Sequence, residues 1–312
     1  MNFDCIGIGI ISLDHLCVVE RYPESNTKNK VVAYDQQGGG PVPTALATLG
    51  RLRKRVALVA KTGIDAEAEF LKRELESFNV STAFLVQSSG NSTPKAFVII
   101  DRRNGHRTVF LYREKSADLT VRDIDLSVIG HCKIIHLDGH EIDVALACAH
   151  YARKHRVKVS IDIGSARAVP AELLKLADYA IVSNSFANAF LVKDDPAGSA
   201  GKLLEYGLRM AGVTCGRDGS YFAAGNKVFH QPAFNIRAVD TTGAGDVFHG
   251  AALYGLLQNF SPQQVAVFAT AAAALKCTKV GGKAGIPDLD MITTFLRQQG
   301  IDTHFIEEAN NQ

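Results

Sequence analysis

Short apolar runs alternate with amphipathic stretches along the whole chain, and this alternation constrains the fold more than any other property. Strand-like runs occupy residues 5–11, 55–60, 134–137, 158–163, 179–182, 212–214 and 220–224. Helical patterns fall between and after them, at 43–51, 66–78, 143–154, 171–177, 202–206, 246–258, 262–276 and 289–299. Continuous apolar strands separated by helices imply a mostly parallel sheet covered on both faces. Ligands of such sheets gather at the carboxyl ends of the strands. The chain of 312 residues is expected to form one α/β domain, 1–312, with a core large enough to need no staples.

Two segments break the alternation. Residues 16–37 and 95–113 lack helical periodicity, and in the second Asn104 and Gly105 separate two apolar runs. Asn-Gly favours the positive φ of a tight hairpin turn. These strands are expected to form a small accessory sheet, a lid contributed by about 13–37 and 95–113, able to exclude water from a site beneath it. The polar end, 307–312, is expected to fray.

Charge and cysteine usage narrow the partners. A formal net charge of +2 gives no electrostatic reason to expect nucleic acid or an anionic membrane. No run approaches the roughly 18 apolar residues of a membrane span, and the first residues show no export signal. The six cysteines are scattered without a Cys-x-x-Cys pair, so buried thiols in the cytoplasm are expected.

The densest chemical signal is Asp-Thr-Thr-Gly-Ala-Gly-Asp at 240–246, just before a helical run. Small residues at a helix start let backbone N–H groups face an anion, and the helix dipole adds to the attraction. Asp246 falls in the first turn, where it can serve as base to a hydroxyl. An anion cradle beside a base is what phosphoryl transfer to an alcohol requires.

This run resembles the C-terminal signature of the ribokinase and phosphofructokinase-B family of carbohydrate kinases. Gly-Gly-Gly-Pro-Val-Pro-Thr-Ala-Leu-Ala-Thr-Leu-Gly at 38–50, followed by Val-Ala-Lys-Thr-Gly-Ile-Asp at 59–65, is similar to the N-terminal signature. The stretches 239–250 and 273–287 are especially similar to the sulfofructose kinase branch. The resemblance implies a ribokinase-like three-layer α/β/α sandwich with a small β-sheet lid. It implies ATP and Mg²⁺, a sugar substrate of the ketohexose, sugar-phosphate or sulfosugar kind, and a homodimer formed through the lid.

Carried onto this chain, the resemblance makes Asp246 the catalytic base and the amides of Gly243, Ala244 and Gly245 the anion hole. Asp14 (at the end of the first strand), Gly39, Gly40 and Thr44 would meet the sugar, and Lys28 an anionic group on it. Asn184, Thr214, Gly216, Gly219, Ala273, Cys277 and Gly282 would line the nucleotide. Asp240, Thr242, Gly281 and Gly285 would hold a monovalent cation, K⁺.

Two departures qualify the pattern. The family's Asn-x-x-Glu, whose carboxylate organises Mg²⁺, is absent: the fourth position after Ser183 or Asn184 is Phe186 or Ala187. Thr44 stands where many relatives have a sugar-binding Asn, which changes the available donors and acceptors.

Other readings of the same residues stay open at this stage. A nucleoside or polyol kinase uses the same chemistry, and the missing Glu suits a non-catalytic sugar- or nucleotide-binding regulator. Gly7 and Gly9 suggest dinucleotide binding, but the third glycine of that fingerprint is missing. His136 and His140 lack the spacing of metal ligands on a helix, and His249 reads as a packing residue. Arg102, Arg103 and Arg107 read as solvated turn residues or as contacts to an anionic substrate.

Overall fold

A computed structural model describes residues 2–103, 105–114 and 118–310. The first half of the chain runs β1 (Phe3–Ile8), β2 (Ser12–Val19), β3 (Val31–Gly39), α1 (Pro41–Arg51), β4 (Val56–Thr62), α2 (Ala66–Ser77), β5 (Val80–Gln87), β6 (Lys95–Asp101), β7 (Arg107–Tyr112) and β8 (Cys132–Leu137). The second half runs α3 (Ile142–Lys154), β9 (Lys158–Ile163), α4 (Ala171–Leu176), β10 (Tyr179–Ser183), α5 (Asn184–Phe190), α6 (Pro196–Leu204) and β11 (Met210–Thr214). It closes with β12 (Ser220–Ala224), β13 (Lys227–Gln231), α7 (Ala244–Leu257), α8 (Pro262–Lys276), α9 (Leu289–Gln298) and α10 (His304–Asn310).

The main sheet has nine strands in the order β13-β12-β11-β10-β9-β8-β1-β4-β5. It is parallel from β11 to β5, and β12 and β13 add antiparallel at one edge. One face buries an apolar cluster under α1, α2, α7, α8 and α9. The other buries a second cluster under α3, α4, α5 and α6. Three layers result, because strands apolar on both faces must be covered twice.

The smaller sheet has the order β3-β2-β6-β7, with its own core of Leu16, Ala96, Val98 and Ile100. The hairpin expected around Asn104 and Gly105 is formed by β6 and β7, although Asn104 lies outside the described residues. Gly105 has the expected left-handed backbone, φ 70°.

Several boundaries differ from the sequence expectation. The first strand stops at Ile8 rather than residue 11, because the Asp138 carboxylate accepts from Ile10 N–H at 2.9 Å and turns the chain into the lid. Asp14 therefore lies in lid strand β2, not at the end of the first strand. Strand β13 carries no long apolar run and β5 only Ala-Phe-Leu-Val behind a polar start, since each is a sheet edge with one flank in solvent. The short helix α5 is rich in Ser and Asn but is held by its cap, Ser183, which accepts from Phe186 N–H at 3.2 Å. The C-terminal segment does not fray at 307. It forms α10, with Ile306 buried and the Phe305 ring 4.8 Å from that of Phe260.

Candidate active site

Helix α7 begins at a turn that only glycine fits well. Gly243, its N-cap, has φ 73°, and a Cβ there would stand 2.8 Å from the Gly282 carbonyl oxygen. Ala244 N–H donates back to Thr241 O at 3.1 Å, and Val247 N–H donates to Gly243 O at 2.9 Å. The other first-turn amides, those of Gly245 and Asp246, are left for an external anion. Ala244 N–H is thus occupied within the turn, unlike the three-amide set that resemblance alone implies.

Two cavities meet at this turn. The larger, about 520 Å³, is mostly apolar and touches Ala244 and Gly245. Its walls include Thr214, Gly216, Gly219, Ala273 and Cys277, five of the seven residues assigned to the nucleotide, together with Phe234, Ile236 and Phe248. Gly282 instead packs under Gly243. Asn184 begins α5 beside Thr214, since Ser183 pairs with Thr214 across β10 and β11, and its Oδ1 is buried without a hydrogen-bond partner. Where a magnesium-organising Glu was sought, Phe186 and Ala187 are both buried in the core.

The smaller cavity, about 200 Å³, is polar in its lining: Asp138, His140, Asp162, Ser165, Arg167 and Asp246 surround it with Pro41 and Gly164. Burial pushes the Asp246 pKa up to about 7, helped by the Asp162 charge and opposed by His249 and Arg107. Asp138 is likewise pushed up to about 7 by burial. Its carboxylate is fixed by Ile10 N–H at 2.9 Å and His140 N–H at 3.0 Å. Arg167 donates from Nη1 to His140 Nε2 at 2.8 Å and from Nη2 to Asp138 O.

The smaller sheet brings Asp14 and Arg107 within electrostatic reach of Asp246. Asp14 accepts from Ser12 Oγ at 2.7 Å, and its pKa is raised to about 6 by burial. A Cβ on Gly39 would stand 2.1 Å from the Asp14 carboxylate, so the backbone there must be bare. Gly40 caps α1 with φ 103°, and Thr44 is buried in that helix one turn on. Arg107, at the start of β7, bears electrostatically on both Asp246 and Asp14. Lys28 is exposed on the β2–β3 connection.

Near Asp246 lies a buried set made of His249, read from the sequence as a packing residue, His136, declined there as a metal ligand, and Asp162, which the sequence did not single out. His249, one turn further along α7, is ion-paired to Asp162 at 3.1 Å. Burial works against the protonated ring, but Asp162 outweighs it and raises the His249 pKa. His136 packs beside it, with ring centroids 5.6 Å apart, and burial lowers its pKa to about 3. Ligand atoms of His136, Asp162 and His249 come within 4.8 Å of one another, although no sequence spacing joins them. The usable signal was topological: Asp138 and Asp162 follow or end β8 and β9, at the carboxyl ends of neighbouring parallel strands.

Comparison with known proteins bears on the fold and the family. A ribokinase of Staphylococcus aureus (strain COL) is 26% identical over 307 residues, covering 94% of this chain and 99% of that protein. Mouse (Mus musculus) ketohexokinase is 24% identical over 281 residues, covering 86% and 94%. The structure of Arabidopsis thaliana ribokinase complexed with ribose and ATP superposes with a TM-score of 0.83 at 21% identity, covering 95% of this chain and 99% of that one. The model of the pfkB family of carbohydrate kinases matches residues 3–289, and the chain belongs to that family.

Proposed function

We propose that this carbohydrate kinase transfers the γ-phosphoryl group of ATP to a hydroxyl of a small, uncharged sugar, with Asp246 as the base. One observation carries the reading: the turn at 243–246 joins an apolar cavity of nucleotide size to a polar cavity holding Asp246. The adenine would lie against Ala273 and Cys277, and its phosphates would run toward the amides of Gly245 and Asp246. Arg107 is placed to bear on charge developing at the transferred group.

Asp14, Gly39 and Gly40 on the lid side and Asp138 on the sheet side would accept or approach sugar hydroxyls. Three carboxylates converge there (Asp14, Asp138 and Asp246) against Arg107 and Arg167, while Asp162 is paired with His249. That balance favours a neutral polyhydroxyl ligand over a phosphorylated or sulfonated one, and Lys28 lines neither of the two cavities. Mg²⁺ would neutralise phosphate charge, and the unpartnered Oδ1 of Asn184 is an oxygen donor of the type it takes. The six free cysteines suit a reducing compartment such as the cytoplasm, and no described helix is long and apolar enough to cross a membrane.

A panel of ketohexoses, aldopentoses, nucleosides and phosphorylated or sulfonated sugars, assayed for ADP release, tests the reading. A neutral sugar should give the highest kcat/KM. Preference for an anionic acceptor would reject the substrate class, and no turnover with any acceptor would support a non-catalytic binder.

A further inference from the structure

Resemblance implies a monovalent cation behind the anion-facing turn, among Asp240, Thr242, Gly281 and Gly285. These residues do converge, but every oxygen that Asp240 could offer a cation already accepts a hydrogen bond. Asp240 Oδ1 accepts from Thr242 N–H at 2.8 Å and from Thr242 Oγ1 at 2.7 Å, and Oδ2 accepts from Gly281 N–H at 2.8 Å. The Asp240 carbonyl oxygen accepts from the Lys276 ammonium at 2.8 Å.

Lys276 is an unusual lysine. It ends α8, and its relative exposure is 0%. An isolated ammonium buried this way would be costly, so its partner defines its role. Gly285 closes over it, and a Cβ there would stand 2.5 Å from Lys276 O. The helix end, the Asp240 turn and the 281–285 loop thus enclose one fixed positive charge. Hydrogen bonds from Thr242 and Gly281 outweigh burial and keep the Asp240 pKa below its ordinary value, so an anion lies beside that charge.

We infer that the Lys276 ammonium takes the place of the monovalent cation, so that this kinase works without potassium. A lysine carries the charge on a covalent stem, which removes the cost of capturing an ion from solution. Its bond to Asp240 O fixes the loop that leads into Gly243, from which the anion-facing amides and Asp246 project. Lys276 is therefore a positioning residue, since it holds the turn and does not itself touch the reacting atoms.

Wild type and Lys276→Ala are compared in potassium, sodium and tetramethylammonium chloride by thermal melting and by kinase rate. The melting arm does not depend on the kinase reading, so failure of that reading and failure of this one are distinguishable. Wild type should show equal melting temperatures and rates within about twofold in all three salts, because the ammonium already occupies the carbonyl that an ion behind this turn would take. Lys276→Ala should lose about tenfold or more in rate and regain part of it, with a higher melting temperature, in potassium alone. Lys276→Met, which fills the space without charge, should lose rate and regain none. Potassium activation or stabilisation of wild type would overturn the inference even if Lys276→Ala does not fold. A folded Lys276→Ala with no potassium response would overturn it as well.

Discussion

At the scale of single residues, Asp246 carries two opposed demands. As a base it must be ionised, yet its cavity favours the protonated form and lifts the pKa to about 7. The acid limb of kcat/KM should therefore fall near pH 7, not near the ordinary carboxylate value, and a plateau extending down to pH 5 would contradict this. The same shift has a sign for stability. A carboxyl whose folded pKa is raised contributes stability below its unfolded pKa, near 3.8, and loses it as pH rises toward about 7. Asp246→Asn should thus melt progressively higher than wild type as pH rises from 5 to 8, measured by scanning calorimetry. The position of Asp246 in the first turn of α7 was legible because glycine density and the start of the helical pattern converge on it. Asp138, Asp162 and His249 were not, since each alone is an ordinary residue and only strand order brings them to one cavity.

At the scale of elements, the site depends on how α1 and α7 cross. Gly250 sits at the crossing, and a Cβ there would stand 2.4 Å from Ala45 O and 2.6 Å from Thr48 Cβ. Gly250→Ala should destabilise by about 1–3 kcal/mol despite the better helix propensity of alanine, because neither backbone can yield cheaply. Denaturant midpoints would check it, and an unchanged midpoint would contradict it. Central strands such as β4 and β11 were readable from their unbroken apolar runs, since burial on both faces demands them. The edges β5 and β13 were not, because half of each faces water and the pattern dilutes. Helix α6 was read too short for a related reason: Asp195 caps it at Pro196, upstream of the visible apolar pattern.

At the scale of the whole molecule, the lid presents an unpaired face. Every residue of β7 is exposed, and Val109, Phe110, Leu111 and Tyr112 are 51–54% accessible, with Tyr34 and Phe97 on the same sheet. A patch of this kind on an open sheet suits a second copy of the chain. Sedimentation velocity should find a dimer, and Phe110→Glu should shift it to monomer; a monomeric wild type would contradict the proposal. The smaller sheet was legible as two stretches without helical period, but the approach of its Asp14 and Arg107 to Asp246 was not. That depends on Gly39 meeting Asp14 and on Arg107 reaching the site from a distant hairpin.

The central claim is that Asp246 takes the proton of the acceptor hydroxyl beside the amides of its own helix turn. The most direct measurement compares steady-state turnover of wild type and Asp246→Asn with the preferred sugar and ATP, alongside ATP affinity by titration calorimetry. Loss of a general base should lower kcat by about 10²–10⁴ while ATP affinity stays within a few-fold. Undiminished turnover in Asp246→Asn would contradict the assignment.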